Sequence, residues 1–450
     1  MPALPRTLAL LTTSVLAILV CAPVSGASAA GVEAPDGLRR TPDRAATTST
    51  IRRVGHPATA RAAQSAASDP RAGDQWALQG DAPMGIDSAW RQTTGADVTV
   101  AIIDSGIDLG HPDLVPNLWS NPGEVPGNGV DDDGNGYVDD VHGYDFVDRD
   151  GTPQDANGHG THVAGIAAAR GGNGIGVAGV AWRARLMAVR VLDADARGTT
   201  TAVAEGIRYA VDNGARIINL SLAGPSSTPD LQDAVRDAQT RGVLIVVAVG
   251  NEGADLAAAP TFPAGYAEDN VLGVAATRRD GVLSSVSDYG PGADLAAPGE
   301  EILSTALGGG YEWRTGTSMA APQVAGALVL LAAARPDLDA AGLRAALLSG
   351  VRRTGLPVED GALDAGAALR RVIDPSAWKS APAAALSSYA AATGPKPAKA
   401  PEAKRKAKAR KLAAAARRKR AAATQAAKAR AHAKARKAAA RRRAAARARR

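Results

Sequence analysis

Between residues 69 and 375, apolar residues come in short, nearly unbroken runs separated by amphipathic segments and glycine-rich turns. The runs at 98–103 (VTVAII), 186–192 (LMAVRVL), 217–220 (IINL) and 243–249 (VLIVVAV) have the pattern of strands covered on both faces, because a strand with one wet face would alternate. Between them, 200–212 and 230–241 carry apolar residues at helical spacing, and Pro229 stands where a helix begins. Strand and helix taking turns predicts an α/β fold: a mainly parallel central sheet flanked by helices, three layers in all. Aromatic residues make up only 3% of the chain, so the core must be built from Val, Ile, Leu and Ala at close packing.

The ends of the chain have a different texture. Arg6 precedes an apolar run (LALLTTSVLAILVCAPV), and the small residues Ala27-Ser28-Ala29 follow, so 1–29 reads as a cleaved signal peptide and predicts a secreted, extracellular protein. Cys21, the only cysteine, lies inside that run. A mature chain would have none, and Val20 argues against a lipid anchor at Cys21. No later stretch supplies 18 or more consecutive apolar residues for a membrane span. Residues 30–68 read as a short flexible leader or prosegment, 69–375 as the globular body and 376–395 as a Pro/Ala/Ser linker.

The remaining segment, 396–450, is a low-complexity tail of Ala, Lys and Arg. It holds 23 basic residues against one acid, Glu402, a charge of +22 in a chain whose net charge is +7, which leaves −15 for everything before it. The body is therefore no nucleic-acid binder by charge. The tail repels itself and is predicted to be disordered alone. Its electrostatics suit an anionic polymer such as cell-wall material, a lipid surface or nucleic acid, with binding that weakens as salt rises.

Three segments carry chemistry. Asp104 follows the apolar run VTVAII directly, at the carboxyl edge of a strand, where open α/β sheets bind ligands. His159 sits in NGHGTHVAG, among glycines and ahead of a small-residue helical pattern. Ser318 sits in GTSMAAPQVAG, again ahead of a small, apolar helix, whose unpaired N–H groups would favour a developing negative charge. Taken singly, each also reads as an ordinary turn, cap or core residue. His159 and His162 are three apart, but no HExxH pattern or nearby Cys or Glu completes a zinc site. His162 is expected to be a packed or hydrogen-bonded core residue.

Together, DSGID at Asp104, NGHGTHVAG at His159 and GTSMAAPQVAG at Ser318 resemble the three signature segments of the subtilases, and the order Asp, His, Ser is the subtilisin order. The resemblance covers about two thirds of the chain. It implies a subtilisin-like fold and a serine endopeptidase that works through an acyl-enzyme, with Asp104, His159 and Ser318 catalytic and Asn251, in AVGNEG, in the oxyanion hole. It also implies a substrate cleft edged by Ser221, Leu222, Ala223 and Gly224 on one side and Ala248, Val249 and Gly250 on the other. Ala223 departs from the glycine common at its position, which puts the cleavage preference in doubt. The segment from Thr261 to Ala264 resembles the family's pocket-base loop, with a cis bond at Phe262-Pro263 allowed.

Between Asp104 and His159 the chain inserts a carboxylate-rich loop, 121–150. Asp131, Asp133, Asn135, the Tyr137 carbonyl and Asp139 or Asp140 are spaced like the start of a calcium loop, with Gly136 at the turn, although the usual closing Glu is absent. The family likeness points to structural calcium, and a merely solvated acidic loop is the alternative. Protein or peptide substrates and a monomeric state are expected. A polyanion-binding surface protein on an inactive subtilase scaffold is the competing reading, and the intact set Asp104, His159, Ser318 and Asn251 argues against it.

Overall fold

The computed structural model describes residues 69–80 and 83–374, so the segments expected to be a signal peptide, leader, linker and tail lie outside the described residues. In chain order the elements are α1 (Ile86–Trp90), β1 (Thr99–Asp104), β2 (Gly143–Asp145), α2 (His159–Ala168), β3 (Arg185–Arg190), α3 (Thr200–Asp212), β4 (Ile217–Leu220) and α4 (Pro229–Thr240). They continue with β5 (Leu244–Ala248), β6 (Val271–Thr277), β7 (Leu295–Pro298), β8 (Ile302–Ala306), β9 (Gly310–Arg314), α5 (Thr317–Ala334), α6 (Ala340–Gly350), β10 (Gly361–Ala362) and α7 (Ala365–Ile373). The four strands and two helices expected from the apolar pattern are present, two of them with the expected bounds. The helix starts have local causes. The Thr199 side chain accepts from the Ala202 N–H at the head of α3, and Thr228 accepts from Leu231 N–H at the head of α4, where Pro229 occupies the first turn.

Eight strands form one sheet in the order β10-β7-β6-β5-β4-β1-β3-β2, and every pairing in it is parallel. The unbroken apolar runs divide by alternation between two cores. Val100, Ile102, Leu186, Ala188, Leu244 and Val246 face the layer that contains α2, α5, α6 and α7. Ala101, Ile103, Met187, Val189, Ile245 and Val247 face α3 and α4. The chain leaves β1 to build β2 and β3 on one side of it, then returns to place β4 on the other. That reversal opens a crevice at the carboxyl edge of β1, the usual ligand site in such sheets.

Helix α5 is apolar enough by length and composition to cross a membrane, yet it lies in the middle of this protein, buried through almost its whole length. The antiparallel pair β8–β9 lies against α2, where the Ser304 and Thr305 hydroxyls donate to the carbonyls of His162 and Thr161, each at 2.7 Å. This close approach requires Gly165, since a Cβ there would fall against Ser304 Oγ and Thr305 Oγ1. Gly165→Ala should therefore cost about 1–3 kcal/mol, read as a lower midpoint in urea unfolding with an unchanged slope.

Candidate active site

Strand β1 ends at Asp104 and α2 begins at His159, and the sheet geometry brings the two side chains together. His159 Nδ1–H donates to Asp104 Oδ1 at 2.8 Å. A carboxylate oxygen can only accept, so the proton is held on Nδ1 and Nε2 is left as the basic nitrogen. The Ser105 N–H donates to the same Asp104 oxygen at 2.7 Å. Asp104 is fully buried and His159 is 4% exposed, which shields the pair from water and keeps the ring in one orientation.

Ser318 is the second residue of α5 and is 6% exposed. Its hydroxyl donates to the Ser221 carbonyl at 3.1 Å, and it makes no hydrogen bond with His159. The link is reciprocal, because Ser221 Oγ donates to the Ser318 carbonyl at 2.8 Å and in turn accepts from Asn219 Nδ2 at 2.9 Å. Strand β4, which carries Asn219 and leads into Ser221, is the neighbour of β1. The nucleophile candidate is thus held at the same sheet edge as the Asp–His pair.

Asn251 follows β5, the next strand along that edge. Its side-chain Oδ1 accepts from the Thr317 N–H at 2.8 Å and from the Thr317 hydroxyl at 2.9 Å. With Oδ1 so engaged, the amide Nδ2 remains the donor end, beside the first turn of α5. Leu222 is buried and Ala223 and Gly224 are partly open. Gly224 exchanges two backbone hydrogen bonds with Phe262, at 3.1 and 2.8 Å, and the Phe262-Pro263 bond is cis. Thr261 Oγ1 donates to the Val249 carbonyl at 2.6 Å, which ties the segment 261–264 to Ala248, Val249 and Gly250. The two cleft edges expected from sequence are therefore joined through one loop.

Two further carboxylates shape this edge and were not picked out by sequence reasoning. Asp288 Oδ1 accepts from the N–H groups of Glu252 and Ala254, at 2.9 and 2.8 Å, and so fixes the turn that presents Asn251; burial pushes its pKa up. Asp155 sits beneath the start of α2. Neither belongs to a recognisable motif, and an Asp in a loop gives no signal of its own.

In the acidic loop, the carboxylates of Glu124, Asp133 and Asp140 come within 4.8 Å of one another and could hold a metal ion. Asn121 and Asn135 border this group through hydrogen bonds to Asp133 and Asp140. Asp131 Oδ1 is buried without a hydrogen-bond partner, and burial pushes the Asp140 carboxyl up. An all-oxygen, negatively charged set of this kind is the donor chemistry that suits a hard cation. Glu124 lies outside the spacing pattern and was not expected. Asp139 directs its oxygens at the N–H groups of Asn128 and Gly129 instead. Behind the loop, Tyr209 on α3 donates to Asp140 Oδ2 at 2.7 Å within a cluster of Tyr137, Tyr144 and Phe146.

A parallel sheet covered on both faces, with a buried Asp–His pair and a serine at a helix start along its carboxyl edge, is the layout of a subtilisin-like serine endopeptidase. Comparison with known proteins agrees. The subtilase family model matches residues 95–366. Thermitase of Thermoactinomyces vulgaris is 44% identical over 259 residues, 58% of this chain and 82% of thermitase. Subtilisin BL of Lederbergia lenta is 42% identical, over 55% of this chain and 80% of its own. Among solved structures, a protease from Pseudoalteromonas arctica superposes with a TM-score of 0.56 at 31% identity, covering 67% of this chain and 98% of that one. The chain belongs to the subtilase family, and it is a serine endopeptidase.

His162 is the core residue expected from sequence. It is fully buried, its Nε2–H donates to the Glu312 carbonyl at 3.1 Å, and Nδ1 has no partner. Burial, with the nearby Arg314 guanidinium, pushes its pKa down to about 3. Below the ordinary imidazole value the unfolded chain takes up a proton that the folded protein refuses, so stability present at neutral pH is lost as pH falls. His162→Gln should flatten the fall in unfolding free energy between about pH 6 and pH 4, where one such group contributes up to roughly 1.4 kcal/mol per pH unit.

Proposed function

We propose that the endopeptidase works through Ser318 as nucleophile, His159 as general base and acid, and Asp104 as the group that orients the imidazole. The observation that carries this reading is the buried Asp104–His159 hydrogen bond at 2.8 Å, which leaves Nε2 as the basic nitrogen. For this the Ser318 hydroxyl would have to leave the Ser221 carbonyl and turn to Nε2, and catalytic hydrogen bonds often close only once substrate is bound. His159 would take the hydroxyl proton as Ser318 attacks a peptide carbonyl and return it to the leaving amine, and water would then release the acyl group. Asn251 Nδ2 and the Ser318 N–H would stabilise the oxyanion. An extended substrate would run along Ser221, Leu222, Ala223 and Gly224 and opposite Ala248, Val249 and Gly250.

Export through the signal peptide would make the enzyme extracellular, and the +22 tail supports its retention on a polyanion by charge. Glu124, Asp133 and Asp140 would hold a structural calcium, and Asp140 would tie that site to α3 through Tyr209.

Purified protein should hydrolyse unfolded casein, and a serine-directed phosphonate should label Ser318 and stop it. Ser318→Ala should abolish turnover, and Asn251→Ala should lower kcat by about 10²- to 10³-fold. Folded wild type that neither cleaves casein nor takes up the phosphonate would refute the assignment. For the metal, calcium in millimolar excess should raise the Tm of wild type by roughly 5 °C. Asp140→Asn should lose that rise.

A further inference from the structure

The first turn of α2 has an unusual arrangement. Its N-cap is Gly158, in the left-handed region at φ 97°, with no side chain to satisfy the N–H groups that open the helix. Three other residues do so. His159 N–H donates to Asn157 Oδ1 at 3.2 Å, Gly160 N–H to Ser105 Oγ at 2.9 Å, and Thr161 N–H to Asp155 Oδ2 at 2.8 Å. Ser105 is the residue after Asp104, so one of these bonds joins the end of β1 to the helix that carries His159.

Asp155 is the centre of this arrangement. It is 4% exposed. Oδ1 accepts from Ser105 Oγ at 2.9 Å and from the N–H groups of Asn157 and Gly158 at 2.9 and 2.8 Å, while Oδ2 also accepts from Thr161 Oγ1 at 2.6 Å. Both oxygens are thus fully engaged by donors from the strand end and the helix start. The segment is anchored in turn, since Asp155 N–H donates to the Ile107 carbonyl at 3.1 Å, and Thr161 Oγ1 accepts from Asp108 N–H at 2.9 Å.

We propose that Asp155 is the positioning residue of the active site: acting through Ser105 and Thr161, it sets the His159 imidazole against Asp104. This rests on His159 being the general base. Only a carboxylate meets the need at this position. Asn in its place offers one acceptor oxygen, and its NH2 would confront either the Thr161 N–H or the Ser105, Asn157 and Gly158 donors. The helix start would then shift, and a base displaced by a fraction of an ångström loses much of its advantage.

The test uses the purified enzyme with Asp155→Asn, Ser105→Ala and the double variant, assayed on a peptide substrate well below their unfolding temperatures. The far-downfield proton of the His159–Asp104 hydrogen bond is followed by NMR. Asp155→Asn should lower kcat by about 10²-fold while KM stays within about twofold, and the double variant should lose less than the two single losses combined. The downfield proton should shift or broaden in both single variants. A folded Asp155→Asn protein with lower Tm but unchanged kcat and downfield proton would overturn the proposal. If Asp155→Asn fails to fold, Ser105→Ala decides by the same two readouts. If wild type itself neither cleaves nor takes up phosphonate, the triad reading fails separately, and the downfield proton still decides whether Asp155 sets the Asp104–His159 bond.

Discussion

Backbone N–H groups at the start of a helix need acceptors, and in this protein the two helices that carry the site begin in the interior, where water cannot supply them. The side chains that meet this demand also build the site. At α2 they are Asn157, Ser105 and Asp155, and through Ser105 they reach the strand that bears Asp104. At α5 the Thr317 N–H is taken by Asn251, which orients that amide toward the same helix start. The satisfaction of buried donors and the tie between the end of β1 and the start of α2, where Asp104 and His159 meet, thus share hydrogen bonds. This explains why loops that look irregular at this edge are held so closely by Asp155, Asp288 and Asn219.

Much of the scaffold could be read from the chain because a doubly covered parallel strand writes itself as an unbroken apolar run. The runs ending at Asp104 and Leu220 announced both the strands and the edge on which the site stands. Helix α5 was visible as an apolar segment after Ser318. What stayed hidden were contacts between side chains far apart in sequence. Glu124 joins Asp133 and Asp140 across a turn that no ligand spacing describes, and Asp155 gives no signal because an Asp-x-Asn-Gly stretch reads as a turn whatever it binds. Strands β6 and β7 were not singled out, and the β8–β9 pair interrupts the strand–helix alternation on which the fold reading rested.

Four of the few aromatic residues form one group: Tyr137, Tyr144, Phe146 and Tyr209 gather under the acidic loop, where β2, the loop and α3 meet, while Trp76, Trp90 and Trp182 are buried in the core on the other face of the sheet. A loop rich in repelling carboxylates has little cohesion of its own, and a rigid ring platform gives it a surface to settle on. The Tyr209 hydroxyl adds a polar contact to Asp140 at the centre of that platform.

Helix α5 packs against β1, β4, β5, β6 and β7 and against α2, α6 and α7, so its neighbours come from nearly the whole length of the folded body. Apart from Thr317, Ser318 and Gln323, the residues it buries are apolar or glycine. The surroundings of this helix are therefore complete only once strands distant in sequence have paired, and such long-range pairing is slow. A half-made chain, with exposed backbone that any endopeptidase could cut, lacks the packing that seats the head of this helix at the sheet edge.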